Sequence, residues 1–280
     1  MVDPYVHGYH PKESTRLQDQ AATLVDLLHS DTSYPPRSLV LEAGCGVGAQ
    51  TIPLAKNSPQ AKIIALDISR SSAAEAKRKV ETADLENVRI LQGDIFHLPF
   101  RKGTFDHLFV CFVLEHLPRP VEALSTLKEF IKPGGTITAI EGDHGSAYFH
   151  PDSLAARRAI DCQVRLQKRA GGNAMIGREL YPLLTRAGFS EVSVSPRMVY
   201  ADGSRPQMAE GFTRKTFTAM IEGVRDAALA AGMMEESEFD HGVRDLYRTA
   251  EADGVFCYTF FKATGKNGWD ERGDERTANH

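Results

Sequence analysis

The segment EGDHGSAYFHPD, from Glu141 to Asp152, sets Glu141, Asp143 and Asp152 beside His144 and His150, with Tyr148 between the histidines. Carboxylates and imidazoles together are the donor set of a metal site, and equally the groups of acid–base chemistry near neutral pH. The two histidines are not at the i, i+4 spacing of a helical zinc pair, and glycine and proline interrupt the segment. The spacing therefore favours a pocket wall over a metal cage: no metal is expected, and His144 is the first candidate base. CFVLEHLP offers a second pair, Glu115 and His116, with His116 the second candidate. Glu141 either faces the pocket or bonds loop amides.

A different kind of chemistry is written upstream. LEAGCGVGAQT places Gly44, Gly46 and Gly48 in a GxGxG spacing between an apolar run and a helical stretch. Glycines there permit a tight turn and a close approach of backbone to ligand. Asp67, in ALDIS, follows about twenty residues later at the end of the second apolar run, where an acid can bind ribose hydroxyls. Asp94, in QGDIFHLPF, is placed to meet an adenine amino group.

These residues need strands to present them. SLVLEAG, AKIIALDIS, NVRILQGD, FDHLFVCFVLEHL and TITAIEGD each contain a short apolar run, and helical stretches alternate with them. That rhythm implies right-handed βαβ crossovers and a parallel, doubly wound sheet, with the acids at carboxyl strand ends. A leading helix is expected over 12–29 and a helix opened by proline in PVEALSTLKEFIKPGG. After Asp143 the rhythm fails. GRELYPLLTRAGF and SEVSVSPRMVY restore helix then strand, residues 206–253 read as helical throughout, and GVFCYTFFKATG is a late strand. The expectation is an α/β, Rossmann-like, doubly wound seven-stranded sheet with helical lid insertions. One domain spans 1–265, its core about 36–143 with 177–200 and 254–264 and its lid about 145–176 and 204–253. The tail 266–280 has little to bury and is expected to be disordered.

VLEAGCGVGAQT, ALDIS, LQGDIFHLPF, FDHLFVCFVLEHL and IKPGGTITAIEGD resemble, in order, the motifs of class I S-adenosylmethionine-dependent methyltransferases. The resemblance covers roughly residues 36–143 and is nearest the small-molecule branch called methyltransferase type 11, or ubiquinone/menaquinone-biosynthesis-like. It implies S-adenosylmethionine as cofactor. By position, Glu42, Gly44 and Gly46 would cradle its methionine part, with Gln50 also a cofactor-binding residue. Asp67 would take the ribose hydroxyls with Ile68 on the adenine, Asp94 the adenine N6 with Ile95 beside it, and Phe112 the sulfonium side. Tyr9 and Arg16 would close over the cofactor from the leading helix. Nicotinamide dehydrogenases are the rival, but their third glycine falls one position later than Gly48, and no Tyr-xxx-Lys pair is evident beside a serine.

Composition narrows the acceptor. A net charge of -4 gives no basic footprint for nucleic acid, and no apolar run is long enough to span a bilayer. Cys45, Cys111, Cys162 and Cys257 form no CxxC, which points to a reducing, cytoplasmic setting. The cover suggests an enclosed site for a small acceptor, with Arg197, Met198, Tyr200, Met208, Tyr258, Phe260 and Phe261 as candidate contacts. The expected activity is methyl transfer to an oxygen or nitrogen of a small, hydrophobic or aromatic metabolite by a monomer or homodimer. The alternative is a non-methylating binder of the same cofactor, a rearrangement catalyst or regulatory protein.

Overall fold

Alternation along the strands decides which layer each residue joins. In β1 (Leu39–Ala43), Val40 belongs to one core with Ile63 and Ala65 of β2 (Lys62–Asp67), while Leu41 and Ala43 belong to another with Leu66. The structure, a computed structural model, describes Gln20 and residues 23–268. Its sheet has seven strands in the order β3-β2-β1-β4-β5-β7-β6. β3 (Val88–Gln92), β2, β1, β4 (Phe105–Cys111) and β5 (Ile131–His150) run parallel, and β7 (Val255–Lys266) runs antiparallel to both β5 and β6 (Ser190–Asp202). The seven-stranded doubly wound α/β fold is as expected from the strand rhythm; the sheet is mixed because the last strand reverses.

The first face of the sheet is covered by α1 (23–29), α2 (Thr51–Asn57) and α3 (Arg70–Thr82), through Leu24, Leu28, Leu54 and Ala76. The second face is covered by α4 (Pro120–Lys128) and α6 (Leu180–Arg186), through Leu124, Leu127, Leu180 and Leu184. Proline opens α4, where its missing N–H costs nothing.

The strands run further than their apolar runs suggest. β5 continues to His150, past the point at Asp143 where the helical cover was expected to begin, with an irregularity against β7 between Asp143 and Tyr148. Pairing with β7 keeps these polar residues extended. Lys266 likewise belongs to β7, and the Asn267 amide donates to Ile131 O at 2.8 Å, so the expected tail starts inside the sheet. The rest of that tail, from 269, lies outside the described residues, as do most of the expected leading helix and both Tyr9 and Arg16.

The stretch 206–253 is not continuous helix. It divides into α7 (Pro206–Met208), a π-helical stretch (Ala209–Thr218), α8 (Ala219–Gly223), α9 (Arg225–Ala230) and α10 (Glu236–Arg248). The π stretch has a physical reason: i→i+5 winding puts Phe212 and Phe217 together on β7, against Tyr258 and Phe256. α10 lies on α5 (Leu154–Arg169), where a Cβ on Gly242 would come within 2.5 Å of Ala155 O. Among the described residues, no helix is long and apolar enough to cross a membrane.

Candidate active site

Gly44, Gly46 and Gly48 of the β1–α2 turn all have positive φ, the region that favours glycine. Gly44 has φ +80°, and a Cβ there would fall 2.4 Å from a Val113 methyl. Gly46 has φ +51°, but a Cβ on it would meet nothing within 4 Å. Gly44 thus lets the loop close on the β4 side, and Gly46 borders open space. The turn is held by N–H groups of Gly44 and Cys45 donating to Leu66 O at 2.8 and 2.9 Å.

Three acids stand in a row along the carboxyl ends of β1, β2 and β3. Glu42 is 2% exposed, and its Oε2 has no hydrogen-bond partner among the described residues. Burial, with the nearby Asp67 charge adding to it, pushes Glu42 up to about 7. Asp67 accepts from Gly46 N–H at 2.9 Å through Oδ2 and from Ser69 N–H at 2.8 Å through Oδ1; burial raises its pKa against those two bonds. Asp94 is more open. Partial burial would raise it, but the Phe96 N–H bond at 2.9 Å and His97 at 2.9 Å outweigh that and lower it.

Around this row, Ile68 is 46% exposed, an uncovered apolar side chain, while Ile95 packs partly into the second core. Gln50 is buried with its Oε1 2.7 Å from His29 Nε2, which ties α1 to the start of α2. Phe112 has φ +57°, costly for an aromatic residue. It is held by its N–H bond to Ile140 O at 2.9 Å and by its ring against Phe260 at 5.4 Å.

Glu141 bonds loop amides. Fully buried, it accepts from Val113 and Leu114 N–H at 3.0 and 2.7 Å through Oε1, capping the 3₁₀ turn Leu114–His116. Burial, then the Glu115 carboxylate, hold it well above the usual carboxylate range. The same turn is tied to the helical cover: Gln167 donates to Glu115 O and Oε2 at 3.1 and 3.0 Å, and Asn173 N–H to Glu115 O at 2.7 Å. His116 Nε2 lies 3.6 Å from Glu115 Oε1.

The remaining acids and histidines of the 141–152 segment diverge. Asp143 is taken bidentately by Arg178 at 2.6 and 2.7 Å, Asp152 by Arg157 at 2.8 Å, and His150 is exposed. His144, buried like Asp143, packs among aromatic rings instead of pairing with an arginine. Its Nδ1 lies 2.7 Å from Tyr258 Oη, and its ring meets Phe217 edge-on at 6.1 Å. A chain of rings runs from it through Tyr258 and Phe260 to Phe112, with spacings of 5.8, 4.8 and 5.4 Å.

Of the expected cover contacts, Tyr258 and Phe260 lie in this ring chain and Met208 packs against the same core. Phe261 points to the second core, Met198 is exposed near Tyr148, Tyr200 stacks with Arg205, and Arg197 pairs with Asp31. Sequence reasoning missed Phe212, Phe217 and Gln167. Gln163 and Gln167, bonded at 2.9 Å, carry an i, i+4 signal, whereas a five-residue aromatic spacing fits neither helix nor strand periodicity.

Residues 40–135 match a family profile described as a methyltransferase domain. An uncharacterized 37.1 kDa protein in a transposon of Streptomyces fradiae is 32% identical over 190 residues, 67% of this chain and 54% of that protein. A demethylmenaquinone methyltransferase of Bacillus cereus is 35% identical over 107 residues, 38% of this chain and 45% of that enzyme. The chain thus spans about half the length of the curated relatives it matches. Among solved structures, the [4+2]-cyclase SpnF shares the fold, with a TM-score of 0.54 at 19% identity over 89% of this chain and 81% of that one.

Proposed function

We infer that this chain, which belongs to the class I S-adenosylmethionine-dependent methyltransferase family, moves a methyl group from that cofactor to a small-molecule acceptor. The observation that carries this reading is the row of Glu42, Asp67 and Asp94 at adjacent strand ends, around a glycine loop open at Gly46. The residues fit the cofactor. The unpartnered Glu42 Oε2 suits its amino group, with Gly44, Gly46 and Gln50 alongside. Asp67 keeps lone pairs for two ribose hydroxyls, Asp94 suits the adenine N6, and Ile68 and Ile95 suit the adenine faces. Phe112 would line the sulfonium side.

When bound, the cofactor supplies an electrophilic methyl group. The chain's task is to hold the acceptor in line, keep water out and take a proton where the acceptor loses one. The ring chain from Phe112 to His144 favours a hydrophobic or aromatic acceptor methylated on oxygen or nitrogen. We assign His144 as the base, its ring oriented by Tyr258, with His116 as the second candidate. A methyl-labelled cofactor incubated with a metabolite extract tests the activity: label in a small product is expected. Cofactor binding with no label transferred would favour the non-methylating alternative, a reading the fold shared with a [4+2]-cyclase keeps in view.

Two results are expected from calorimetry with S-adenosylhomocysteine. Asp67→Ala weakens binding about 10- to 100-fold, since it strands the ribose hydroxyls and frees the Gly46 and Ser69 amides. An unchanged affinity would remove Asp67 from the site. The second concerns pH. Because the folded pKa of Glu42 is raised to about 7, its neutral form favours folding at low pH, and that contribution fades as pH rises from the usual carboxylate value through 7. Ammonium binding needs the ionised form, so affinity should strengthen by up to about tenfold per pH unit below 7 and then level off. Glu42→Gln should flatten that profile; a wild-type profile already flat would separate Glu42 from the amino group.

A further inference from the structure

On the first face of the sheet, away from the strand ends that carry the three acids, β5, β6 and β7 leave a cavity of about 250 Å³ under the turn 31–34. We propose that this cavity is a second binding site, for a small oxyanion bearing a phosphoryl or carboxylate group.

The argument rests on donors and charge. Arg197, Lys262 and Asp31 line the cavity, a balance of two cations against one anion. Asp31 is already committed, with Oδ1 on Lys262 Nζ at 2.6 Å and Oδ2 on Arg197 Nη2. Lys262, 4% exposed, spends its N–H groups on Asp31, Thr32 and Leu28 O, and so acts on the cavity through charge. Two donors are left over. Arg197 Nε is buried without a hydrogen-bond partner among the described residues, and Tyr34 Oη, also buried, has only the Thr138 hydroxyl of the cavity wall beside it, which leaves its own O–H free to donate. Tyr34 is only 9% exposed, and burial holds its phenol far above its usual pKa, so it stays a donor. Ser193 and Ser195 supply hydroxyls on the same wall. Unpaired buried donors are costly, and an acceptor-rich anion is the ligand that satisfies them while meeting the net positive charge.

The test is calorimetric titration of the full chain with inorganic phosphate and, separately, acetate, at constant ionic strength, with and without saturating S-adenosylhomocysteine. Saturable one-site binding of either probe is expected, unchanged by S-adenosylhomocysteine; the probe that saturates assigns the phosphoryl or carboxylate class. Tyr34→Phe and Arg197→Gln should each weaken it about tenfold. Tyr34→Phe keeps the ring packed on His107 and so remains informative if the arginine variant folds poorly. Absence of saturation with both probes, loss of binding with S-adenosylhomocysteine present, or equal affinity in wild type and both variants would each overturn the proposal.

Discussion

Glu141→Ala should lower unfolding stability by about 3–5 kcal/mol, because it leaves the Val113 and Leu114 N–H groups unpaired and opens a space at a fully buried position. The loss should appear as a reduced urea midpoint with an unchanged slope. Glu141→Gln separates this capping role from charge. Its amide oxygen still accepts from both N–H groups, and it cannot ionise. Because the folded pKa of Glu141 is raised, its contribution to stability is full below the unfolded value and declines as pH rises. The glutamine variant should therefore be at least as stable as wild type, with the advantage growing at alkaline pH. A glutamine variant as unstable as the alanine one would contradict the assignment of Glu141 as a cap.

His144→Phe should lower kcat by about a hundredfold or more for an acceptor that must lose a proton, the range of a lost general base. The ring replacement keeps the ring contacts with Phe217 and Tyr258 while losing the Nδ1 bond to Tyr258 Oη, and the row of acids proposed to hold the cofactor on β1, β2 and β3 is untouched, so S-adenosylhomocysteine affinity should hold. Turnover equal to wild type, measured as labelled product per enzyme, would reduce His144 to a buried hydrogen-bond partner of Tyr258. Tyr258→Phe provides the positioning control. It removes one bond to Nδ1 and should displace the acidic limb of the kcat–pH profile rather than abolish turnover.

Local pattern was enough for the glycine turn and the first three strands. Glycines at 44 and 46, an acid at the end of each of the first three strands and helices between them are short-range signals, and parallel βαβ order leaves them one place to meet. Glu42, Asp67 and Asp94 could therefore be named from spacing and motif resemblance, although spacing does not say that Gly46 and Ser69 already bond Asp67.

The segment 141–152 and its surroundings depend on partners distant in sequence. Glu141 and Asp143 look equivalent in EGDHGS, yet one caps a turn at 113–114 and the other pairs with Arg178. β5 reaches His150 because β7, more than a hundred residues later, supplies the antiparallel ladder. Phe212 and Phe217 share a face only because packing on Tyr258 and Phe256 accompanies a π-helical winding that no propensity encodes. Periodicity and turn chemistry thus determined the doubly wound α/β class and put Glu42, Asp67 and Asp94 at neighbouring strand ends, while the reversal of β7 and the reach of β5 came from pairing between distant segments. Which carboxylates are pushed upward, which histidine bonds Tyr258 and which aromatics surround it were decided by tertiary contacts, since burial and hydrogen bonding are properties of neighbours in space.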